Sequence, residues 1–353
     1  MASPPLCPGL DGDYDFLCDT KNYWGIVVES FATAGAVVTV ILITVLLLLV
    51  CKVQDNTKRS LIPVQFLFLL GTLGIFGLTF AFIIKLNERT APTRFFLFGV
   101  LFALCFACLL AHAFDLIKLV RGRCPFSVLT LLVFAISLTT VQIIIAIQYV
   151  AINSQELRAL NSTTGMTEKS RVDFVLLLIY VLFLMALLFV VSTFVFCGSY
   201  RRWKRHGTHT FFTALFSIGI WVAWISVFMT EKNPERDDPI ISIALVANGW
   251  VFLMIYVVPE LCFLTTPRKP GDYPPENDAC QPKVLKKTYG VENRAYAQED
   301  NTQVPDANRG PSYPPYSTHF QLQNLEPQQD FSIPRPKTRT SPYQEYSGGK
   351  GVK

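Results

Sequence analysis

Long apolar stretches dominate the first three quarters of the chain, and short polar segments separate them. Seven of these stretches are each long enough for an α-helix that crosses a bilayer, which takes about 20 residues. They are too long for the strands of a transmembrane barrel, and they lack the alternation of polar and apolar residues that such strands need. The pattern therefore predicts an all-α membrane protein, a seven-transmembrane helix bundle, with spans at 25–51, 61–84, 94–119, 126–150, 172–197, 209–230 and 240–264.

Polar segments flank the predicted bundle at 24–264. Segment 1–23 is polar and acidic and has no apolar core of a signal peptide, so we expect the first span to act as the insertion signal. Segment 265–353 holds 13 of the chain's 22 prolines and no tryptophan. Proline at this density opposes helices and sheets, and little apolar surface is available to offset the entropy of ordering. We predict a short N-terminus, the bundle, and a disordered tail.

The orientation of the bundle follows from charge. Seven spans place the two termini on opposite sides, and with the N-terminus outside, twelve lysines and arginines fall on the inner ends and nine on the outer ends. The same orientation puts the glycosylation sequon that begins at Asn161 outside. It also puts Cys7 and Cys18 in an oxidising compartment, which makes them candidates for a disulfide. We predict an extracellular N-terminus and a cytoplasmic tail.

Composition excludes several functions. The chain is 51% hydrophobic and 16% charged, and its net charge of +5 is concentrated at Arg201, Arg202, Lys204 and Arg205. We interpret this basic loop as a cytoplasmic surface that faces a G protein, and we expect no binding of nucleic acid. The nine cysteines show no repeated CxxC pattern, so no zinc framework is predicted.

Few ionisable residues lie within the spans, and none lies at a predicted bilayer centre. Glu29, His112, Asp115 and Glu260 are all near span ends, which argues against an ion pump. Asp115 has two interpretations, an acid that meets cytoplasmic water or Lys118, or a lock between helices, and we favour the first. The seventh span has no lysine for a retinal Schiff base, and no hydrolase motif occurs. We predict a non-enzyme without cofactor or metal.

Tryptophans provide the candidates for a ligand site. Trp221 and Trp224 lie three residues apart in the sixth span, and Trp250 lies in the middle of the seventh. They either pack the core or form the aromatic floor of a pocket between helices, and the sequence leaves both open. Pro259, near the end of the seventh span, can kink or end its helix.

The tail carries candidate modification sites. Seven of the chain's 13 tyrosines are there, and two pairs recur at a spacing of three, namely Tyr313, Tyr316, Tyr343 and Tyr346. Phosphorylation would add negative charge and create binding sites for SH2-type phosphotyrosine readers. Low complexity, or a Pro-Pro-Tyr ligand of WW domains, is the alternative. Two further residues, Cys262 and Cys280, are candidates for S-acylation at the cytoplasmic face.

Several segments carry a resemblance to a known family. They are WGIVVESFATAG, VCKVQD, FLFLLGTLGIFGLTFAFII, PTRFFLFGVLFALCFACLLAH, KLVRGR, DFVLLLIYVLFLMAL, WKRHG, IWVAWI, ANGWVFL, KKTYGVENRAY, PYSTHFQLQN and SPYQEY. They resemble the retinoic-acid-induced orphan receptors, group 5 of the class C G-protein-coupled receptors. The resemblance implies a receptor without an agreed ligand, location in the plasma membrane and in vesicle membranes, and phosphorylation of the tail by tyrosine kinases. Dimers are common among class C relatives, which makes a homodimer an expectation.

Two departures from class C patterns are visible. Most class C receptors join the outer end of the third span to the following long loop by a disulfide, and neither place has a cysteine here. Most also read Pro-Lys in the seventh span, where this chain has Pro259-Glu260. Both departures put the usual class C activation in doubt.

Two functional hypotheses follow. In the first, the protein is an orphan receptor whose cytoplasmic face engages a heterotrimeric G protein. In the second, it is a membrane-bound adaptor that brings phosphotyrosine readers to kinases without a G protein. A facilitative transporter is a weaker third hypothesis, because the chain shows neither polar sites within the spans nor an internal repeat.

Overall fold

The structure is a computed structural model, and it describes residues 23–52, 56–84, 90–154, 167–198, 201–231, 233 and 236–266. Seven helices in this part of the chain are long and apolar enough to cross a membrane. The predicted seven-helix fold is confirmed. The predicted N-terminal segment and tail lie outside the described residues.

The seven spanning helices are numbered in chain order. They are α1 (Trp24–Lys52), α2 (Ile62–Ile83), α3 (Thr90–Val120), α4 (Val128–Ile152), α5 (Glu168–Leu177 and Ile179–Thr193, continued by a 3-10 turn at Phe194–Cys197), α6 (Arg201–Thr230) and α7 (Asp237–Val251, a π-helical segment at Phe252–Val257, then Val258–Thr265). A single helical turn, Asn56–Arg59, lies between α1 and α2.

Several helix starts follow from local capping. The side chain of Ser127 accepts a hydrogen bond from the backbone N–H of Thr130 at 3.2 Å, and α4 begins at the next residue. The side chain of Thr167 does the same for Ser170 at the start of α5. Each cap satisfies one of the backbone donors that a helix leaves unpaired at its N-terminus.

One predicted boundary differs in a way that matters for function. Helix α6 begins at Arg201 rather than at 209, so the predicted basic loop is the helical N-terminal end of α6. Helix formation extends past the apolar stretch because the polar residues before 209 include no helix breaker other than Gly207.

Helix α3 lies at the centre of the bundle, and α1 and α4 lie at its edge. In α3, 72% of the apolar stretch is buried, against 17% in α1 and 22% in α4. Helices α2 and α7 are intermediate, each with 56% of the stretch buried. Because α3 is central, it contacts the side chains of α6 and α7 that face the inside of the bundle.

Candidate functional site

The most concentrated polar group inside the bundle surrounds Glu260 of α7. One carboxylate oxygen of Glu260 lies 2.7 Å from Nδ1 of His206 in α6 and 3.6 Å from Nε2 of His112 in α3. The other oxygen lies 3.5 Å from Nε2 of Gln65 in α2. We call these four residues the Glu260 cluster. It joins four helices near the cytoplasmic end that the sequence predicts.

Burial makes these contacts strong. Glu260 is 1% exposed, and His112 and His206 are 1% and 5% exposed. A carboxylate removed from water is stable only when charged or hydrogen-bonding partners surround it, and removing one partner is more costly than the pair is worth. The 2.7 Å contact to His206 is at the distance of a charge-assisted hydrogen bond. His112, at 3.6 Å, lies beyond hydrogen-bond distance of the same oxygen.

An apolar layer lies beside the Glu260 cluster and fills the space between four helices. It consists of Leu116, Leu119 and Val120 of α3, Val195 of α5, Trp203 of α6 and Phe263 of α7. We call it the cytoplasmic plug, after the side on which the charge distribution predicts it to lie. The Trp203 and Phe263 rings meet edge to face with centroids 5.3 Å apart, and Phe263 also packs on His206 at 4.0 Å. The plug therefore contacts the cluster directly through Phe263 and His206.

The helix backbones approach closely at the plug. A Cβ atom built on Gly207 of α6 would lie 2.2 Å from Cγ1 of Val195, so a larger residue does not fit there. A Cβ on Gly198 would lie 1.7 Å from Cγ1 of Val120. The N-terminal end of α6 thus lies close against α5 at Gly207, and the residue that follows α5, Gly198, lies close against α3. These close approaches close this end of the bundle.

Lys58 ties the first connection to the end of α7. Its ammonium group donates to the backbone oxygen of Phe263 at 3.2 Å and to that of Thr266 at 2.7 Å. It also lies 4.7 Å from the centre of the Phe263 ring. A lysine at this place satisfies carbonyl groups that the last turn leaves unpaired and complements the negative end of the helix dipole.

Asp115 makes a contact that the sequence did not suggest. Its Oδ1 accepts a hydrogen bond from the backbone N–H of Phe126 at 2.7 Å, which connects α3 to the segment before α4. Lys118, the partner favoured from spacing, instead lies over the Phe126 ring, 3.3 Å from its centre. Asp115 is fully buried, so it does not meet cytoplasmic water. It fixes the inner loop rather than locking two spanning helices.

The tryptophans proposed as a pocket floor lie in a packed aromatic core. Trp221 and Trp224 are 0% and 5% exposed and have ring centroids 5.6 Å apart. Phe102 meets Trp221 at 5.0 Å, and Phe98 lies 5.8 Å from Trp224. Trp250 lies elsewhere, where its indole N–H donates to the backbone oxygen of Phe31 at 3.3 Å. Packing occupies the space between Trp221 and Trp224 here, and the ligand pocket stays a prediction.

Two ion pairs close the opposite end of the bundle. Arg94 of α3 lies 3.0 Å from Asp238, and Arg171 of α5 lies 2.9 Å from Asp237, both at the start of α7. Arg94 also donates to the backbone oxygen of Ile84, and Arg171 to that of Glu231. These two arginines join α3 and α5 to α7, so they connect helices at the end where the class C disulfide is absent.

The remaining predicted site residues are only partly covered. Lys204 is half-buried and Arg205 is exposed at the inner end of α6, whereas the side chains of Arg201 and Arg202 are not described. Cys262 is exposed and its thiol is free. Outside the described residues lie Cys7, Cys18, Asn161, Cys280, Tyr313, Tyr316, Tyr343 and Tyr346.

The sequence did not reveal His206 and Gln65 as members of the cluster. The predicted spans leave His206 in the polar segment before 209, and Gln65 is a single amide near the start of an apolar span. Glu260 itself gave a usable signal, because a carboxylate within a span requires a partner. Which residue supplies that partner depends on how four helices are rotated, and spacing along one helix does not contain this information.

Comparison with known proteins bears on the identity of the bundle. The sequence model of a family described as "7 transmembrane sweet-taste receptor of 3 GCPR" matches residues 18–260. The human protein named retinoic acid-induced protein 3 is 55% identical over 339 residues, which cover 96% of this chain and 95% of that protein. Its mouse namesake is 53% identical over 357 residues, 99% of each chain.

More distant relatives are named as G-protein coupled receptors. A mouse protein named G-protein coupled receptor family C group 5 member C is 37% identical over 321 residues, which cover 84% of this chain and 73% of its own. A mouse protein named member B of the same group is 37% identical over 310 residues. The similarity extends across the whole bundle that carries the Glu260 cluster and the cytoplasmic plug.

Proposed function

The chain belongs to group 5 of the family C G-protein-coupled receptors, and from that membership we propose that it is an orphan receptor whose cytoplasmic face couples to a heterotrimeric G protein. In this proposal the described conformation is the closed, inactive one. The observation that carries the proposal is the Glu260 cluster, in which one buried carboxylate holds α6 and α3 to α7.

Closure has a direct consequence for a cytoplasmic partner. A partner can contact only the groups that the inner face exposes, and the cytoplasmic plug fills the space between α3, α5, α6 and α7. Trp203 of α6 is fully buried in it. Movement of α6 away from α7 would separate Trp203 from Phe263 and His206 from Glu260 together. The surface that this movement uncovers is our candidate for the G-protein contact.

The basic residues of α6 support the same location for the G-protein contact. Lys204 and Arg205 lie at the inner end of α6, next to the plug, and Arg201 and Arg202 precede them in the chain. Basic residues at this edge favour an acidic partner surface, and complementary charge guides the encounter and fixes the orientation of the partner. Neutralising Arg201, Arg202, Lys204 and Arg205 together is therefore expected to abolish coupling without lowering the amount of protein at the cell surface.

The closed state can be tested by replacing one side chain of the cluster. Glu260→Gln keeps the shape of the side chain and removes its negative charge, which weakens the contacts with both histidines. We expect basal activation of a G-protein panel to rise in cells at equal surface level. The matched control is Glu29→Gln in α1, which lies outside the cluster. Unchanged basal activation in Glu260→Gln would contradict the proposal.

Topology and location belong to the same proposal. We propose an extracellular N-terminus with a Cys7–Cys18 disulfide, a glycan on Asn161, and residence in the plasma membrane and in vesicle membranes. The support is the excess of basic residues at the inner ends together with the position of the sequon. Asn161→Gln is expected to abolish the shift in gel mobility that an N-glycosidase produces. An enzyme-insensitive wild-type chain would count against this topology.

A second candidate function is the membrane-bound adaptor. It is supported by the two tyrosine pairs, Tyr313 with Tyr316 and Tyr343 with Tyr346, in a proline-rich segment. Phosphate on each would add about −1.5 to −2 charge and offer an Arg-lined reader several acceptor oxygens. Replacing all four by phenylalanine is expected to abolish capture of SH2-type readers and tyrosine kinases. Equal capture by the wild type and the phenylalanine variant would rule out this form of the adaptor.

A further inference from the structure

Helix α7 contains a widened turn directly before the Glu260 cluster. Residues Phe252–Val257 are π-helical, and the backbone N–H of Val258 donates to the oxygen of Leu253, five residues back, instead of four. Pro259 follows immediately. Proline has no N–H to continue an α-helix, and its ring would clash with the carbonyl of Ile255 four residues earlier. A wide turn at this place accommodates the proline and lets the helix continue to Thr265.

The widened turn sets the rotation of everything after it. Asn248, Phe252, Tyr256 and Glu260 are all at most 1% exposed, although they lie four residues apart. Over the twelve residues from Asn248 to Glu260, an uninterrupted α-helix would rotate by three turns and a further 120° or so. A π turn absorbs one residue, so the excess falls to about 20°. With the wide turn, all four side chains keep nearly the same direction, toward the inside of the bundle.

Contacts on both sides of the turn depend on this rotation. Above it, the ring of Phe76 packs directly against Gly249. Within it, Phe252 lies 5.7 Å from Phe106, and Tyr256 lies 5.5 Å from the ring of His112. Below it, Glu260 reaches His206 at 2.7 Å. The upper part of α7 is therefore fixed by packing, and the lower part by the Glu260 cluster and the plug.

We propose that the π turn of α7 is a register switch that controls the Glu260 cluster. If Phe252–Val257 becomes α-helical while the upper part stays in place, the inner end of α7 rotates by about 100°. Glu260 then takes the direction in which Leu261 now points, and it leaves His112 and His206. Phe263 leaves Trp203 in the same movement, so the plug separates. The inference rests on the proposed function, because it assigns a cause to the opening of that site.

A deletion isolates the switch. Removing Met254, which is 50% exposed on the outside of the π turn, leaves enough residues for an α-helix with Tyr256 and Glu260 still facing inward. The deletion variant is therefore expected to fold with the cluster formed but with no wide turn left to convert. Met254→Ala, which shortens the side chain and keeps the chain length, is the matched control.

A second deletion shows that the position matters. Ile243 is 54% exposed in the α-helical part of the same helix. Its removal would rotate the residues on its two sides out of register without any wide turn to compensate. We expect the Ile243 deletion to be lost from the cell surface, and the Met254 deletion to be retained.

The decisive measurement is basal G-protein activation in two variants that we expect to be activated, His206→Gln and Glu260→Gln, compared at equal surface level. His206→Gln weakens the cluster but leaves His112, so the rotation of α7 still controls opening. Adding the Met254 deletion to His206→Gln should lower the basal signal by at least about fivefold, the lower end of usual coupling between sites. Adding it to Glu260→Gln, where only the plug contact still depends on the rotation, should lower the signal by less, and Met254→Ala should be neutral in both backgrounds.

The other outcomes distinguish a failure of the switch from a failure of the proposed function. An undiminished signal in His206→Gln with the Met254 deletion, or loss of that variant from the surface like the Ile243 deletion, overturns the switch. Failure of His206→Gln and Glu260→Gln to raise the signal overturns the proposed function instead. In that case, cross-linking a His112→Cys, Glu260→Cys pair with a bifunctional thiol reagent long enough to replace the two original side chains still tests the register. It should form in the native-length chain and in the Met254 deletion, and its absence from the deletion overturns the register assignment.

Discussion

At the scale of single residues, two ion pairs near the start of α7 differ in burial and should therefore differ in how much they stabilise the folded protein. Arg171 and Asp237 are 7% and 2% exposed, whereas the side chains of Arg236 and Glu231 are 67% and 19% exposed. Arg171→Met leaves a buried carboxylate without its partner, which costs about 3–5 kcal/mol. Arg236→Met removes a pair that is worth at most about 1 kcal/mol. Thermal unfolding of the purified protein should show a large drop for the first variant and almost none for the second.

The control for this comparison is the double variant Arg171→Met, Asp237→Asn. It removes the stranded charge together with its partner, so part of the lost stability should return. Equal unfolding temperatures for the Arg171 and Arg236 variants would mean that water reaches the buried pair. The pair would then not connect α5 to α7 in the way that we describe.

The ring of Phe76 lies between two glycines on neighbouring helices. A Cβ on Gly249 of α7 would lie 2.6 Å from Cζ of Phe76, and a Cβ on Gly35 of α1 would lie 2.3 Å from it. Gly249→Ala therefore overpacks this contact and is expected to cost about 1–3 kcal/mol. Gly219→Ala in α6 meets nothing within 4 Å, and it should stabilise its helix by about 0.5–1 kcal/mol.

Thermal unfolding measured on both alanine variants provides the test. Opposite signs are expected, although the chemical change is the same. A stable Gly249→Ala protein would show that Phe76 moves aside at little cost, and that the upper part of α7 is not held by this contact. The register switch would then lose the fixed upper end from which its rotation is argued.

At the scale of elements, α5 is interrupted, and a neighbouring helix stabilises the break. The helix stops at Leu177 and resumes at Ile179, and the N–H of Leu178 bonds to Val175 in a tighter turn. Gln142 of α4 donates to the backbone oxygen of Leu177 at 3.2 Å. A side chain that bonds to the backbone in this way is a recognised cause of a helix break.

Gln142→Leu should therefore affect α5 although the change is in α4. The carbonyl of Leu177 loses its donor while it stays buried, which costs about 1–3 kcal/mol. Hydrogen exchange of the amides near Leu178 is expected to speed up, and exchange at the outer end of α6 serves as the internal reference. Uniform exchange across both helices would assign the loss to general destabilisation instead.

The elements were more predictable from sequence than the contacts between them. Apolar length gives the number of spans, because each must hide its own backbone polar groups from lipid. Charge at the span ends suggests an orientation, but it does not indicate that Arg94 and Arg171 pair with Asp238 and Asp237. Pro259 marked a disturbance in the seventh span, yet only the structure shows a π turn there. Rotation about each helix axis is set by packing between helices, which a single apolar run leaves undetermined.

At the scale of the whole molecule, the bundle and the tail can be assigned separate functions by experiment. The Glu260 cluster and the plug use only residues up to Phe263, and Lys58 bonds no further along the chain than Thr266 among the described contacts. A chain that ends at Thr266 is therefore expected to keep the closed state and to respond to Glu260→Gln with the same rise in basal G-protein activation as the full chain. Capture of phosphotyrosine readers should be lost from it.

The full chain with phenylalanine at Tyr313, Tyr316, Tyr343 and Tyr346 completes the comparison. It should respond to Glu260→Gln like the full wild-type chain and capture no readers, so that coupling and capture separate in both directions. If the response to Glu260→Gln disappears from the shortened chain and from the phenylalanine chain alike, the cluster does not act on a G protein by itself. The signal would then pass through the tyrosines, and the seven helices would serve mainly to hold the tail at the membrane.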